Sequence, residues 1–229
     1  KNGFSVLARG GGTSQNGQTV NRSIVIDNSK YLKKVLEFDP ISRKCVVEPG
    51  IVLDELNRFL KPHGLFFPVD VSTSSRATIG GMAGNNSAGG RSIRYGIMRD
   101  NVNSIDVIMS NSELARFGMM PEQIFGLDEV LPELLNLGVN NRTEIERRFP
   151  KVLRRVGGYN LDALIEGTLS RRPGSNAATS DINLAHLIVG SEGTLNYSSA
   201  IELKLSPLPP AKIMALCHFS SFYSAMESA

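Results

Sequence analysis

Long apolar runs are missing from this sequence. No stretch approaches the roughly 18 consecutive apolar residues that a membrane-spanning helix needs, so no span is expected. An excess of one charge is missing too. Lys and Arg number 25 against 22 Asp and Glu, a net charge of +3, which is too mild for a nucleic-acid footprint. The one basic run, Arg147 to Arg155, lacks interleaved aromatics and reads as a solvated helix face. Cysteine is scarce: Cys45 and Cys217 stand far apart in no metal or redox spacing. That excludes a disulfide scaffold and points to two reduced packing residues in a cytosolic protein. The N-terminus has no charged-then-apolar leader, so the sequons at Asn85, Asn141 and Asn196 are read as chance. No repeat is visible. What remains is 229 residues with 41% hydrophobic content, enough for one large domain or two small ones.

Glycine, by contrast, is concentrated. Val6 to Ala8 reads as a buried strand that ends at Arg9 and then Gly10, Gly11 and Gly12. Without a Cβ, such a run can fold into a concave turn whose amides point inward and bind phosphate. Thr13 and Ser14 add hydroxyl donors to the rim. A nicotinamide-type motif would open a helix inside the glycines. Gln15 to Asn21 shows no helical period, and Ser23 to Asp27 reads as another strand. The loop therefore lies between strands.

Further along, Leu36–Asp39 and Lys44–Glu48 read as a hairpin around Pro40. Val52, Leu53, Leu56, Phe59 and Leu60 recur at helical spacing, with the helix stopped at Pro62 and His63 at its end. Asp70 to Gly96 is dense in Gly, Ser, Thr and Asn yet holds Ile79, Met82 and Ala83 as apolar anchors. It reads as a packed irregular segment whose main chain touches a ligand. Asn101–Ser110 reads as a strand, Pro121–Leu137 and Glu144–Arg155 as helices, Leu161–Ile165 as the start of another, and 170–180 as a loop. Gly190-Ser191-Glu192-Gly193-Thr194 forms a third glycine turn before the alternating strand Ala200–Leu205. Ala211–Phe219 reads as a further strand, and the helix opening at Ser221 is cut at Ala229, as in a piece of a longer protein. The pattern is α+β: two small subdomains, joined near residue 30, with a ligand between them.

Arg9-Gly10-Gly11-Gly12-Thr13-Ser14, Pro49-Gly50, Ile79-Gly80-Gly81, Tyr95-Gly96 and Gly190-Ser191-Glu192-Gly193-Thr194 occur in the order seen in the vanillyl-alcohol-oxidase or PCMH-type FAD-binding fold. The sequence most resembles the FAD-linked D-lactate dehydrogenase, glycolate oxidase D-subunit and D-2-hydroxyacid dehydrogenase branch. The resemblance implies that Arg9 to Ser14 and Gly17 cradle the FAD pyrophosphate. Pro68, Asp70, Ser72 and Thr73 match the segment beside the flavin. Thr78, Gly80, Gly81, Asn86, Ser87, Gly89 and Gly90 would line the ribityl and pyrophosphate, with Tyr95 nearby. Gly190, Glu192, Gly193 and Ile201 would close on the adenine side and the flavin edge. Thr13 stands where some relatives carry a flavin-linked histidine, so FAD is expected to be non-covalent. Val69 and Val71 replace two prolines of the pattern, and Ala88 replaces a glycine.

The same resemblance implies a FAD-binding domain over residues 1–208, lacking the usual first strand and helix, and the beginning of a substrate-binding cap over 209–229. Neither His186 nor His218 fits a catalytic role, and no catalytic residue or metal ligand is assigned. The whole enzyme would oxidise a small D-2-hydroxy acid by hydride transfer to flavin N5. It would pass electrons to a quinone, a cytochrome or an iron–sulfur protein. An iron–sulfur cluster in a further part of the protein is compatible with this branch. The implied location is cytoplasmic or peripheral at the inner membrane. Two other readings stay open. One is another enzyme of this fold, akin to UDP-N-acetylenolpyruvoylglucosamine reductase or alkylglycerone-phosphate synthase. The other is a non-catalytic domain that binds FAD or a partner subunit.

Overall fold

The computed structural model describes residues 4–152, 154–167 and 181–228. The loop expected over 170–180 lies outside them. Strands β1 (Val6–Arg9) and β2 (Ile24–Asp27) pair in parallel, and the glycine-rich connection between them contains no helix. The expectation of a buried first strand is not met. Val6 is 53% and Ile24 54% exposed, and no residue of either strand is buried, because a sheet of two strands has no neighbouring strands to cover it.

β3 (Val35–Asp39) and β4 (Lys44–Val47) form the expected hairpin. Its turn is fixed by Asp39, whose carboxylate accepts the Ile41 and Ser42 amides at 2.9 and 3.1 Å. Helix α1 (Leu53–Leu60) buries the Leu53, Leu56 and Leu60 stripe. Pro62 follows in a single 3₁₀ turn, and the His63 ring packs at a tilt, 4.7 Å from that of Phe38. β5 (Leu65–Phe66) comes next.

The segment expected to be irregular contains two short helices, α2 (Ile79–Gly84) and α3 (Ser92–Tyr95). Three of the six residues of α2 are glycine, a poor intrinsic helix composition. Tertiary contacts override it: Thr78 caps the start by accepting the Gly81 amide, and Ile79, Met82 and Ala83 are buried.

β6 (Val102–Ile108) matches the expected strand, and β7 (Leu114–Phe117) adds a strand that the sequence pattern does not mark. Pro121–Leu137 is not one helix. Gly126 sits at φ +66°, and Phe125 bridges Arg116 by amide exchange at 2.8 and 3.2 Å, so helix α4 spans only Leu131–Asn140. α5 (Arg142–Arg148) is shorter than expected and carries Glu144 and Glu146 paired with Arg142, Arg147 and Arg148 on a solvated face. A 3₁₀ turn covers Leu161–Leu164, and α6 spans Ala185–Ile188.

β8 (Tyr197–Lys204) is the central strand of a five-stranded antiparallel sheet ordered β3-β4-β8-β6-β7. β9 (Ser206–Pro207) pairs with β5. Residues 211–219 form no strand and Ile213 is 94% exposed, since no sheet edge lies alongside to accept them; α7 (Phe222–Glu227) follows. The core joins α1, α2 and α6 to the sheet through Leu56, Ile79, Leu184, Ile105, Ile201 and Leu203. Cys45 belongs to this core, and burial pushes its thiol up to about 12. Cys217 is exposed, contrary to the expectation of a packing role, because its segment lies on the surface.

Among the described residues no helix is long and apolar enough to cross a membrane. Nor does any group of three His, Cys, Asp or Glu side chains there come close enough to hold a metal ion.

Candidate cofactor cavity

A cavity of about 340 Å³ opens between the two-stranded sheet and the larger unit, within the size range of ligand pockets. One wall is the turn that leaves β1. It packs so closely on α2 that a Cβ on Gly10 would lie 2.2 Å from Thr78 Oγ1, and one on Gly11 would lie 2.1 Å from the Arg76 carbonyl oxygen. Ser14 Oγ accepts a 2.8 Å hydrogen bond from Asn85 Nδ2 just past α2, which ties the end of the turn to the same wall.

The other wall is the Gly190–Gly193 turn. Helix ends leave carbonyls without intrahelical partners. At the end of α2 the Ala83 and Gly84 carbonyls accept the Gly190 and Glu192 amides at 2.8 and 3.0 Å. Thr194 closes the turn by donating to the Ser191 carbonyl at 2.6 Å. Two non-glycine residues here hold left-handed backbone, Asn86 at φ +49° and Glu192 at φ +53°. Such conformations cost on the order of 1 kcal/mol and gather where a main chain must present its amides in a fixed direction. The three glycine-rich stretches therefore meet around one short helix.

Of the residues singled out in the sequence, Gly10, Gly11, Gly12, Thr13, Ser14, Ser72, Thr73, Thr78, Gly80, Gly81, Ser87, Glu192 and Gly193 line this cavity. Others do not. Arg9 folds its guanidinium beside Gly12, which sits at φ +67°. Gly17 stands in open space at φ +79°. Asp70 is taken up by the Gly89–Arg91 turn: its carboxylate accepts the Arg91 amide at 2.9 Å, and a Cβ on Gly89 would meet the Asp70 carbonyl oxygen at 1.8 Å. Gly90 belongs to that same turn. Tyr95 packs edge-on against Phe66 at 5.5 Å. Pro68 and Ile201 are buried in the core, and Asn86 and Gly190 sit behind the wall rather than on it.

Sequence reasoning missed Gln18, Thr19, Asn28, Asn85, Asn196 and Ser198, all of which line the cavity. Tyr197 donates to Asn28 Oδ1 at 2.7 Å, linking β8 to the segment after β2. A legible signal did exist for Asn196: a polar run, Asn-Tyr-Ser-Ser, opens a strand that is otherwise core.

The lining is almost free of charge. Among the described residues Glu192 is its one ionisable side chain, and no Lys or Arg contributes. An anion bound here would be held by amide dipoles and hydroxyls rather than by cations. Gln18 Oε1 and Asn196 Nδ2 are buried without a hydrogen-bond partner, and buried polar atoms without partners are rare enough to require an explanation. Glycine turns packed with no room for side chains, and a lining of neutral donors, together fit FAD. The diphosphate would meet glycine amides.

A glycine-lined cavity between a small parallel sheet and a larger antiparallel one defines a domain for a dinucleotide cofactor. Residues 1–118 match the family model described as FAD binding domain, and the chain belongs to that family. It is 31% identical over 229 residues to the D-2-hydroxyglutarate dehydrogenase of Pantoea ananatis, covering 96% of this chain and 21% of that protein. It is 29% identical over 226 residues to the D-lactate dehydrogenase [cytochrome], mitochondrial, of Arabidopsis thaliana, covering 98% of this chain and 30% of that protein. The chain thus spans about a fifth to a third of the length of these curated relatives. Among solved structures it resembles an alkyldihydroxyacetonephosphate synthase, with a TM-score of 0.57 and 19% identity over 90% of this chain and 28% of that one. At that identity the likeness concerns the fold alone.

Proposed function

We propose that this chain is the FAD-holding portion of a flavin-dependent oxidoreductase that oxidises a D-2-hydroxy acid of the lactate, glycolate or 2-hydroxyglutarate type. The observation that carries the reading is the convergence of three glycine-rich stretches on one cavity lined without Lys or Arg among the described residues, in a chain of the FAD binding domain family. FAD, when bound, supplies the acceptor for a hydride leaving the hydroxyl-bearing carbon. The contribution of this chain is binding and orientation. Gly10, Gly11 and Gly12 offer main-chain amides to the diphosphate, while Gly80 and Gly81, whose own amides are held by the Pro49 carbonyl and Thr78 Oγ1, line the site without side chains. Thr13, Ser14, Ser72, Thr73, Thr78 and Ser87 offer hydroxyls to it and to the adjoining polyol. Gly193 and Glu192 close the far wall. Thr13 offers no nucleophile for a flavin bond of the histidine type, so FAD is held non-covalently.

The relatives named for D-2-hydroxyglutarate and D-lactate support the substrate class. The electron acceptor, a quinone, a cytochrome or an iron–sulfur protein, belongs to the whole enzyme, as does any iron–sulfur cluster. The alternative of a domain kept for assembly, without flavin, makes the opposite prediction in one experiment. The native full-length protein is purified, its visible spectrum recorded, and its released cofactor identified. A flavin spectrum with FAD released by acid, and turnover of D-2-hydroxyglutarate or D-lactate with an artificial electron acceptor, support the reading. A colourless protein that takes up no added FAD overturns it.

A further inference from the structure

Behind the cavity wall lies a buried polar cluster that neither the glycine motifs nor the cofactor reading uses. Arg99 is 4% exposed and Asn160 1% exposed. Arg99 Nη1 donates to Asn160 Oδ1 at 2.6 Å, and the Arg99 guanidinium reaches both Asp162 carboxylate oxygens at 3.2 Å. Arg155 donates to the same Asn160 and Asp162 oxygens from the other side. Asn160 Nδ2 in turn donates to the His186 and Val189 carbonyls at 3.0 and 2.8 Å. The Arg99 amide donates to Asn86 Oδ1 at 3.1 Å, and the neighbouring Met98 amide donates to the Ser87 carbonyl at 2.9 Å.

The cluster therefore grips the segment after α2 and the Gly190–Gly193 turn, in each case one residue behind the cavity lining. Ser87 and Ser191 line the cavity; Asn86 and Gly190 stand directly behind them. A Cβ on Gly190 would lie 3.2 Å from Asn86 Cβ and 3.5 Å from Asn160 Nδ2, so the grip is in contact with the turn it holds. A buried ion pair gives little net stability over apolar packing of the same volume, yet it does fix which groups meet. We propose that Arg99, Asn160 and Asp162 are positioning residues of the cofactor site: a latch that sets the Gly190–Gly193 turn against the end of α2 and so fixes the position of that wall of the cavity. This rests on the reading of the cavity as the FAD site.

The latch spans 63 residues of sequence between Arg99 and Asp162, and the second half of it lies beyond the matched family region of residues 1–118. Arg99 is oriented through two amides and a carboxylate at fixed angles, so its planar fork matters as well as its charge.

The test uses the native full-length protein and four variants: Asn160→Ala, Asp162→Asn, Arg99→Lys, and Asp106→Asn as a control that breaks an ion pair with Arg116 in the sheet. FAD affinity is read by flavin fluorescence, and amide hydrogen exchange is read at Gly190 and Glu192 without added FAD. N160A is expected to weaken FAD binding by about tenfold or more, as when a partner that orients a ligand-holding group is lost. D162N and R99K are expected to weaken it less, with faster exchange at Gly190 and Glu192 in all three. D106N is expected to leave both readouts at wild-type values. Wild-type affinity and exchange in folded N160A overturn the latch, as does an equal loss in D106N. Should N160A fail to fold, D162N decides, since it keeps side-chain volume and one acceptor. A wild-type protein that binds no FAD overturns the proposed function instead, and the exchange measurement then judges the latch alone.

Discussion

The two walls of the cavity rest on different foundations. The Gly10–Ser14 turn leaves a two-stranded sheet whose strands are largely exposed, and its bond to the rest of the site is the packing of Gly10 and Gly11 on the entry to α2 plus one side-chain hydrogen bond from Asn85. The Gly190–Gly193 turn hangs between α6, buried along its whole length, and β8, the central strand of the sheet. It is pinned by two main-chain bonds to α2 and by the Arg99 cluster behind it. Local stability follows burial and hydrogen-bond density. One wall is pre-formed by the core; the other is held by close fit and a single side-chain hydrogen bond. Close fit is sensitive to a single methyl group, whereas a pinned wall gives way only when its supports are removed.

The sharpest way to break that contrast is Gly11→Ala. Its Cβ would meet backbone, the Arg76 carbonyl, at 2.1 Å, so the turn must move off α2. We expect a loss of FAD affinity worth about 3 kcal/mol, near a hundredfold, measured by flavin fluorescence. Undiminished binding by G11A would show that the turn does not need its fit.

His186, on the pinned side, gives a pH test. It is fully buried, and burial together with Arg99 lowers its pKa to about 3. Between about 6.5 and 3 the unfolded chain binds a proton there that the folded chain does not. This group therefore makes stability fall as the pH falls through that window, by about 1.4 kcal/mol per pH unit. Denaturant midpoints from pH 6.5 to 4 should decline less steeply in His186→Gln than in the wild type. Parallel slopes in the two proteins would mean that His186 titrates normally.

Gly17→Ala should do far less than G11A. Gly17 sits at φ +79° with nothing within 4 Å of the place a Cβ would take, so the cost is backbone strain of about 1 kcal/mol without a clash. FAD affinity in G17A within a few-fold of wild type, by the same fluorescence titration, would confirm that the rim beyond Ser14 is loosely held.

The smallest effect concerns the thiols. Cys217 is exposed and should react with a thiol reagent at once, without altering stability. Buried Cys45, with its thiol pushed up to about 12, should react only on unfolding. Rapid double labelling of the native protein, seen by mass spectrometry, would place the β3–β4 hairpin outside the core.

Much of this arrangement was legible in advance because it rests on local chemistry. Glycine runs mark places where a Cβ has no room, and Gly10, Gly11, Gly80 and Gly81 all prove to be such places or to face the cavity. The α1 stripe and the β3–β4 hairpin follow from 3.6-residue spacing and turn residues. What could not be read concerns partners distant in sequence. The helix at Ile79–Gly84 exists against its own composition because Thr78 and the Gly190–Glu192 amides serve its two ends. Asp70 looked like a cavity residue and is instead spent on the Gly89–Arg91 turn.

By itself, then, the sequence determined where the main chain must come close to something: three glycine stretches, the apolar stripe of α1 and the order in which they occur. Only the tertiary structure decided what each approaches. It joined Arg99 to Asn160 and Asp162, left Gln18 Oε1 and Asn196 Nδ2 buried without partners, and set Asp70 outside the cavity. The reason is that backbone permissiveness is a property of single residues, while the pairing of a buried polar group depends on which distant segment the fold brings within about 3 Å of it.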